Sequence, residues 1–316
     1  MTEYIIRRIL LAIPTVVLVI FATFMIVRLV PGNIVEMILA ERPYASEEER
    51  AQIEKDLGLD KSIPVQFVTY LGNVAQGDLG RSYWTSRPVT DEIKNRMPVT
   101  AELGLYSILL GLVIAMPVGI VSAVRQDTMT DYFSRSFAIL ALSVPYFFTA
   151  TLLIVFPPKW FDWAPPLTYA PWSDGPAGHL YYFFFPALLL GVGLAGPVMR
   201  LTRTMMLEVL RQDYIRTAWS KGLRERSVIS RHALKNAIIP VITVIGLQVG
   251  VALSGTIILE SIFNMPGVGR YLVGAIFQRD YPSIQGVVLV LGISVVLVNL
   301  IVDIAYAYLD PRIHYG

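Results

Sequence analysis

The sequence predicts an all-α integral membrane protein with about six transmembrane helices. Three observations carry that reading. Of 316 residues, 54% are hydrophobic and 16% are charged; about a quarter charged is usual for a soluble domain, so too few charges remain to solvate a globular surface. The mean hydropathy is +0.57. The apolar residues fall in long blocks, each enough for the roughly 20 helical residues that a hydrocarbon core of about 30 Å requires. The blocks are uniformly apolar, whereas barrel strands alternate every second residue.

Six segments follow in order: Ile9 to Val30, Leu103 to Val124, Phe133 to Phe156, Tyr181 to Met199, Ala237 to Leu259, and Ile284 to Tyr308. The first follows Arg7 and Arg8. It is longer than the apolar region of a signal peptide and no small-x-small cleavage site follows, so it reads as a retained helix. Lys and Arg in the short loops set the orientation. With the N-terminus inside, Arg7, Arg8, Arg125, Arg135, Arg312 and the basic residues between Arg200 and Lys235 are cytoplasmic, 14 in all, against Lys159, Arg270 and Arg279 in the short outer loops. Both ends are therefore expected in the cytoplasm.

The chain divides into a cytoplasmic N-terminus with the first helix (1–30), an extracytoplasmic loop (31–100), and a transmembrane core (101–316) that includes a cytoplasmic loop at 200–236. Helical signals fill the long outer loop. Ser46 and Glu49 form a capping-box pattern closed by Gly58. Pro64 suits a first helical position, and Val65, Val68, Leu71 and Val74 give an apolar stripe ending near Gly77. The shorter outer loop, Pro157 to His179, carries Trp160, Trp163 and Trp172, which suit a membrane-interface belt.

The loop between the fourth and fifth segments is the most informative stretch. Asp213 is placed to cap a short helix with Tyr214, Ile215, Ala218 and Trp219 on one face and Arg216, Thr217, Ser220 and Lys221 on the other. Gly222 permits a left-handed turn, and a second helix from about Ser227 leads back into the membrane. An amphipathic helix on the inner face needs lipid headgroups or another protein for its apolar side.

Within the spans, Gly246 and Gly250 form a G-x-x-x-G, and Gly191, Gly193 and Gly196 repeat the small-residue pattern of close helix packing. Pro145, Pro186 and Pro197 are candidate kinks. Asp303, one turn after Asn299, is either a functional carboxylate or one side of an interhelical contact. Glu102 and Glu260 stand at segment ends, where water is within reach. His179, His232 and His314 are scattered and make no metal site. The chain has no cysteine, hence no disulfide or thiolate chemistry. No basic patch with interleaved aromatics points to nucleic acid, and no nucleotide-binding or hydrolase motif is present.

The 213–240 loop resembles the "EAA" loop of ABC-importer permeases, with Arg216, Thr217 and Ala218 at the triplet positions and Gly222 as the glycine. The replaced acidic residue and the longer distance to Pro240 agree with the dipeptide/oligopeptide/nickel branch. That branch is matched along most of the chain: Arg7-Arg8, Pro14-Thr15 and Leu29 to Asn33; Leu57 to Phe67 and Gly77 to Ser82; Glu260 to Leu272 and Arg279 to Gly286. The resemblance implies the type I importer permease fold, with a helical extracytoplasmic loop between helices 1 and 2. It also implies a second homologous permease, two ATP-binding subunits that carry the ATP and Mg, and an extracytoplasmic binding protein. The short helix would be the coupling helix, with Arg216, Thr217, Ala218, Trp219, Lys221, Gly222, Leu223 and Arg224 docking an ATPase. Import of di- or oligopeptides by alternating access across a bacterial or archaeal plasma membrane is the expected function, without catalysis in this chain. Nickel chelates and oligosaccharides are alternative substrates. An ion-coupled secondary transporter is the alternative from another class, although the segment centres are almost free of the midplane charges such a mechanism uses.

Overall fold

The computed structural model describes residues 2–29, 55 and 61–309, with the side chains of 5–25, 55 and 61–304. The Ser46–Glu49 capping pattern, Gly58, the Val30 to Asn33 part of the opening motif, Arg312 and His314 lie outside the described residues. Helices dominate: α1 (Thr2–Leu29), α2 (Ile63–Ala75), α3 (Val89–Val124), α4 (Met129–Ser143), α5 (Tyr146–Phe161), α6 (Pro176–Leu210), α7 (Asp213–Ser220), α8 (Leu234–Ile262), α9 (Val268–Phe277) and α10 (Tyr281–Leu309). Among the described residues, five helices are long and apolar enough to cross a membrane, or six if the bent pair α4–α5 is one span.

That pair sharpens one expectation, the candidate kink at Pro145. The third span is two helices that meet at 88°. The break falls at Val144, whose φ −93° and ψ 115° are extended. Pro145 follows it, and a residue before proline is driven out of the helical region. Pro186 and Pro197, by contrast, lie inside an unbroken α6. The second span also begins earlier than expected, at Val89.

The chain forms two compact units, 1–10 with 96–273 and 294–316, and 11–95 with 274–293. In the first, α6 is the central helix, packed against α4, α5 and α8. Its length of about 50 Å follows from 35 residues at about 1.5 Å each. Three apolar clusters lie along it. Tyr182, Phe183 and Leu190 belong to the first, with Leu103 and Leu259; Ala195, Val198 and Met199 to the second; Met206 to the third. Small residues let backbones touch. A Cβ on Gly111 would stand 2.8 Å from the Gly191 carbonyl oxygen, and one on Gly191 would stand 2.6 Å from that of Ser107. Gly246 abuts Val302 and Gly250 faces Val295, so the G-x-x-x-G is a packing seam.

Among the described residues, three of the buried carboxylates, Asp131, Glu260 and Asp280, hold helices together. Asp131 is fully buried and takes a two-pronged contact from Arg203, Nε to Oδ1 and Nη2 to Oδ2, each 2.9 Å. The Ser122 hydroxyl donates at 2.6 Å and the Asp127 amide at 3.0 Å. One side chain thus ties α3, α4 and α6. Glu260, expected to reach water, is fully buried instead. It accepts from the Thr100 hydroxyl at 2.7 Å and from the Arg270 amide at 3.0 Å, with the Gly269 amide as a further donor. The carboxylate sits at the N-terminal end of α9, where free amides and the helix dipole favour it. Gly267 and Gly269 are required because a Cβ on either would collide, with Glu260 and Ile257 respectively. Asp303 is ion-paired with Arg8 at 2.9 Å.

His179, expected at a loop edge, is also fully buried. Its ring stacks on Trp172 at 4.2 Å. Nδ1 lies 2.8 Å from the Ala170 carbonyl, which accepts only, so Nδ1 carries a hydrogen. Nε2 lies 2.9 Å from a Glu102 carboxylate oxygen, and that contact requires one proton shared between imidazole and carboxyl.

In the second unit, α2 starts after Ser62 with Pro64 in its first turn, and Gly77 follows at φ 79°. Its packed face is not the valine stripe. Val65 and Val68 are exposed, and Phe67 and Tyr70 meet Phe21 and Phe24 edge to face or tilted. Aromatic partners on α1 outweigh a stripe of small valines. Two stretches about 200 residues apart interlock here. The third carboxylate, Asp280, accepts from the Ser82 hydroxyl at 2.5 Å, the Ser283 hydroxyl at 2.7 Å and the Tyr83 amide at 3.2 Å.

Candidate functional site

The candidate site is the loop that carries α7. The helix begins after Gln212, whose φ −73° and ψ 148° are extended. Asp213 is therefore the first helical residue and not the cap expected of it; no side chain caps the helix. Its carboxylate still suits the positive end of the helix, and it pairs with Arg216 at 3.3 Å on the surface. The C-terminal turn is defined by three bonds: Lys221 amide to Thr217 carbonyl at 3.1 Å, Gly222 amide to Trp219 carbonyl at 2.9 Å, and Leu223 amide to Ala218 carbonyl at 3.4 Å. The last two make a Schellman motif with Gly222 in the left-handed region at φ 73°. Nothing lies within 4 Å of where a Gly222 Cβ would stand, so glycine is required by conformation and not by space.

The apolar stripe is divided by the fold. Ile215 and Ala218 are 0% and 7% exposed and pack on Ala123, Met206, Val228, Ala233 and Ala237. Tyr214 and Trp219 are 44% and 45% exposed. At about 100° per residue the four positions cover an arc of about 140°, and the floor beneath contacts only its middle. Ala218 is thus turned inward, where it anchors the helix, contrary to its expected place on the docking side. Trp219, Arg216, Thr217, Lys221, Leu223 and Arg224 all face outward.

A feature absent from the sequence reading is the shape of the return path. Residues Glu225–Ser227 form one α-turn, Val228–Ala233 a π-turn, and only then does α8 begin. The Asn236 carboxamide donates to the His232 carbonyl and to the Tyr214 hydroxyl, both at 2.9 Å. This ties the edge of α7 to the π-turn. The extra residue of a π-turn leaves no trace in apolar periodicity; Asn236, a polar residue one turn before Pro240, was the available signal. Among the described residues no cluster of His, Cys, Asp or Glu is arranged to hold a metal.

A groove with a volume of about 340 Å3 lies beside this loop, between the end of α3 and the Glu225–Ser230 turns. The arrangement is therefore a rigid amphipathic element, seated on the ends of three spans and presenting an aromatic, an aliphatic and several cationic side chains outward. Such an element can pass a rigid-body movement of a partner to the helices that hold it.

Comparison with known proteins bears on the whole length. The family described as "Binding-protein-dependent transport system inner membrane component" matches residues 115–315, and its N-terminal companion matches 1–104. The dipeptide transport system permease protein DppB of Alkalihalophilus pseudofirmus is 40% identical, with all of both chains covered. DppB of Escherichia coli K12 is 38% identical over 100% of this chain and 99% of that one. The glutathione transport system permease protein GsiC of Pectobacterium atrosepticum is 39% identical over the whole of both. A crystal structure of an amino acid ABC transporter contains a chain with the same fold at a TM-score of 0.50 and 14% identity, covering 71% of this chain and 95% of that one.

Proposed function

The chain belongs to the binding-protein-dependent transport system inner membrane component family, and from that premise we propose that it is the permease subunit of an ATP-driven importer of di- and oligopeptides. The observation that carries the substrate class is full-length identity near 40% to permeases named for dipeptide and glutathione transport. No nucleotide-binding motif occurs in the sequence, so ATP and Mg belong to two separate ATP-binding subunits. A second homologous permease completes the pathway, and an extracytoplasmic binding protein delivers the peptide.

In this reading the basic side of the membrane domain, with α7, faces the cytoplasm of a bacterial or archaeal cell. Trp219 and Leu223 enter a groove of the ATPase, Arg216, Thr217, Lys221 and Arg224 border it, and Gly222 sets the turn. Closure of the ATPase pair on ATP draws the two coupling helices together and opens the pathway outward; hydrolysis restores the inward-facing state.

The test is isolation of the tagged chain in mild detergent with mass spectrometry of what accompanies it, followed by dipeptide uptake in proteoliposomes. Two ATP-binding subunits, a second permease and ATP-dependent uptake are expected. A chain that purifies alone and moves dipeptide without ATP would overturn the proposal in favour of a secondary transporter.

A further inference from the structure

We propose that the groove beside the coupling loop is a binding site for an anionic glycerophospholipid. Its floor is apolar, formed by Ile120, Val121 and Val124 at the end of α3 and by Ile229 from the π-turn. Its rim carries Arg125 and Arg226. Both guanidinium groups are exposed, and neither forms an ion pair among the described residues. Glu225 is the one carboxylate in the lining and leaves the rim with a net positive charge.

Position decides the ligand class. Val124 is the last residue of one span, and Glu225 opens the helical segment that runs on into α8, another span. The groove therefore lies where two spans leave the hydrocarbon, at headgroup depth, on the side where the basic residues gather. A soluble anion would leave the four apolar side chains wet, and a neutral lipid would leave two cations without a partner. A phosphodiester on the arginines with the first acyl methylenes on the floor satisfies both. Ile229 belongs to the π-turn, and Ile215 and Ala218 of α7 share a cluster with that turn. A lipid seated there braces the floor of the coupling helix.

The inference rests on the orientation proposed above, with this face toward the inner leaflet, but not on peptide transport. The tagged full chain, with whatever subunits accompany it, is reconstituted in vesicles of phosphatidylcholine mixed equally with phosphatidylglycerol. It is then extracted, and the lipid retained is read by native mass spectrometry. Preferential retention of phosphatidylglycerol is expected, falling about tenfold or more in R125Q/R226Q, since each cation near the surface contributes about a factor of five. Thermal unfolding of the variant within a few degrees of the parent shows that the fold is kept. Undiminished preference in a folded double variant overturns the proposal. So does a photoreactive group at position 229 that captures only a polypeptide. For a variant that does not fold, a fluorophore on Ile229→Cys, in a chain without native cysteine, decides: stronger quenching by brominated phosphatidylglycerol than by brominated phosphatidylcholine supports the site, and equal quenching removes it. Labelling of Gln126→Cys by an impermeant thiol reagent from outside would refute the orientation, and with it the inner-leaflet site, independently of the lipid readout.

Discussion

The same backbone turn ends α7 and α8, in opposite surroundings. After α7, Gly222 at φ 73° is followed by a Leu223 amide bonded back to Ala218. After α8, Asn264 at φ 57° is followed by a Met265 amide bonded back to Glu260. Around the second turn the apolar residues close inward: Phe263, Met265 and Val268 are buried and the Glu260 carboxylate is spent on internal donors. Beyond the first, Leu223 is 38% exposed and Trp219 stands beside it, with cations that have little to hold within the chain. Both turns lie in motifs that identify the chain. One motif has its chemistry satisfied at home and preserves the fold, whereas the other leaves its chemistry open, as the proposed docking role requires.

Four perturbations bear on that contrast. The largest effect is expected from Asp131→Ala, which belongs with the closed class: Arg203 keeps its charge with no counterion, a loss of about 3–5 kcal/mol. Thermal unfolding in detergent should show a collapse that an Asp131→Leu/Arg203→Met pair partly reverses; equal stability of the single variant and the parent would break the argument. Glu260→Ala comes next, at about 3 kcal/mol, because the Thr100 hydroxyl and the α9 amides lose their acceptor in a dry site. Here uptake should fall only in proportion to folded protein, and a stable Glu260→Ala protein without activity would move Glu260 to the functional class.

The open region should respond in the reverse way. Gly222→Val forces a β-branched residue into the left-handed region, about 1–2 kcal/mol of local strain. The melting temperature should change little while association with ATP-binding subunits is lost. Gly222→Asn should retain both, since asparagine adopts that conformation and the space around the position is empty. Equal failure of both variants would show that more than the turn is at stake. The smallest change in stability, within about 0.5 kcal/mol, is expected for Trp219→Ala/Leu223→Ala, exposed side chains outside the buried clusters. Membrane insertion should be normal and ATP-dependent uptake absent; unimpaired uptake would dismiss the outward face as a docking surface.

Composition and periodicity determined the membrane class, the apolar blocks, the asymmetry of basic residues and the glycine turn that ends α7, because those are properties of neighbouring residues. Pro145 announced its break in the same way, although only the tertiary structure turned it into an 88° corner. The tertiary structure decided what depends on residues far apart in the chain. Burial of Glu260 needs Thr100, 160 residues earlier. Asp131 becomes a keystone only when Arg203 arrives, and Ser82 finds Asp280 across 198 residues. The division of the α7 stripe into an anchored middle and free edges belongs to the same class. A helical repeat tells which residues share a face, but the width of the surface they meet is set by other helices, and one-dimensional spacing carries no measure of it.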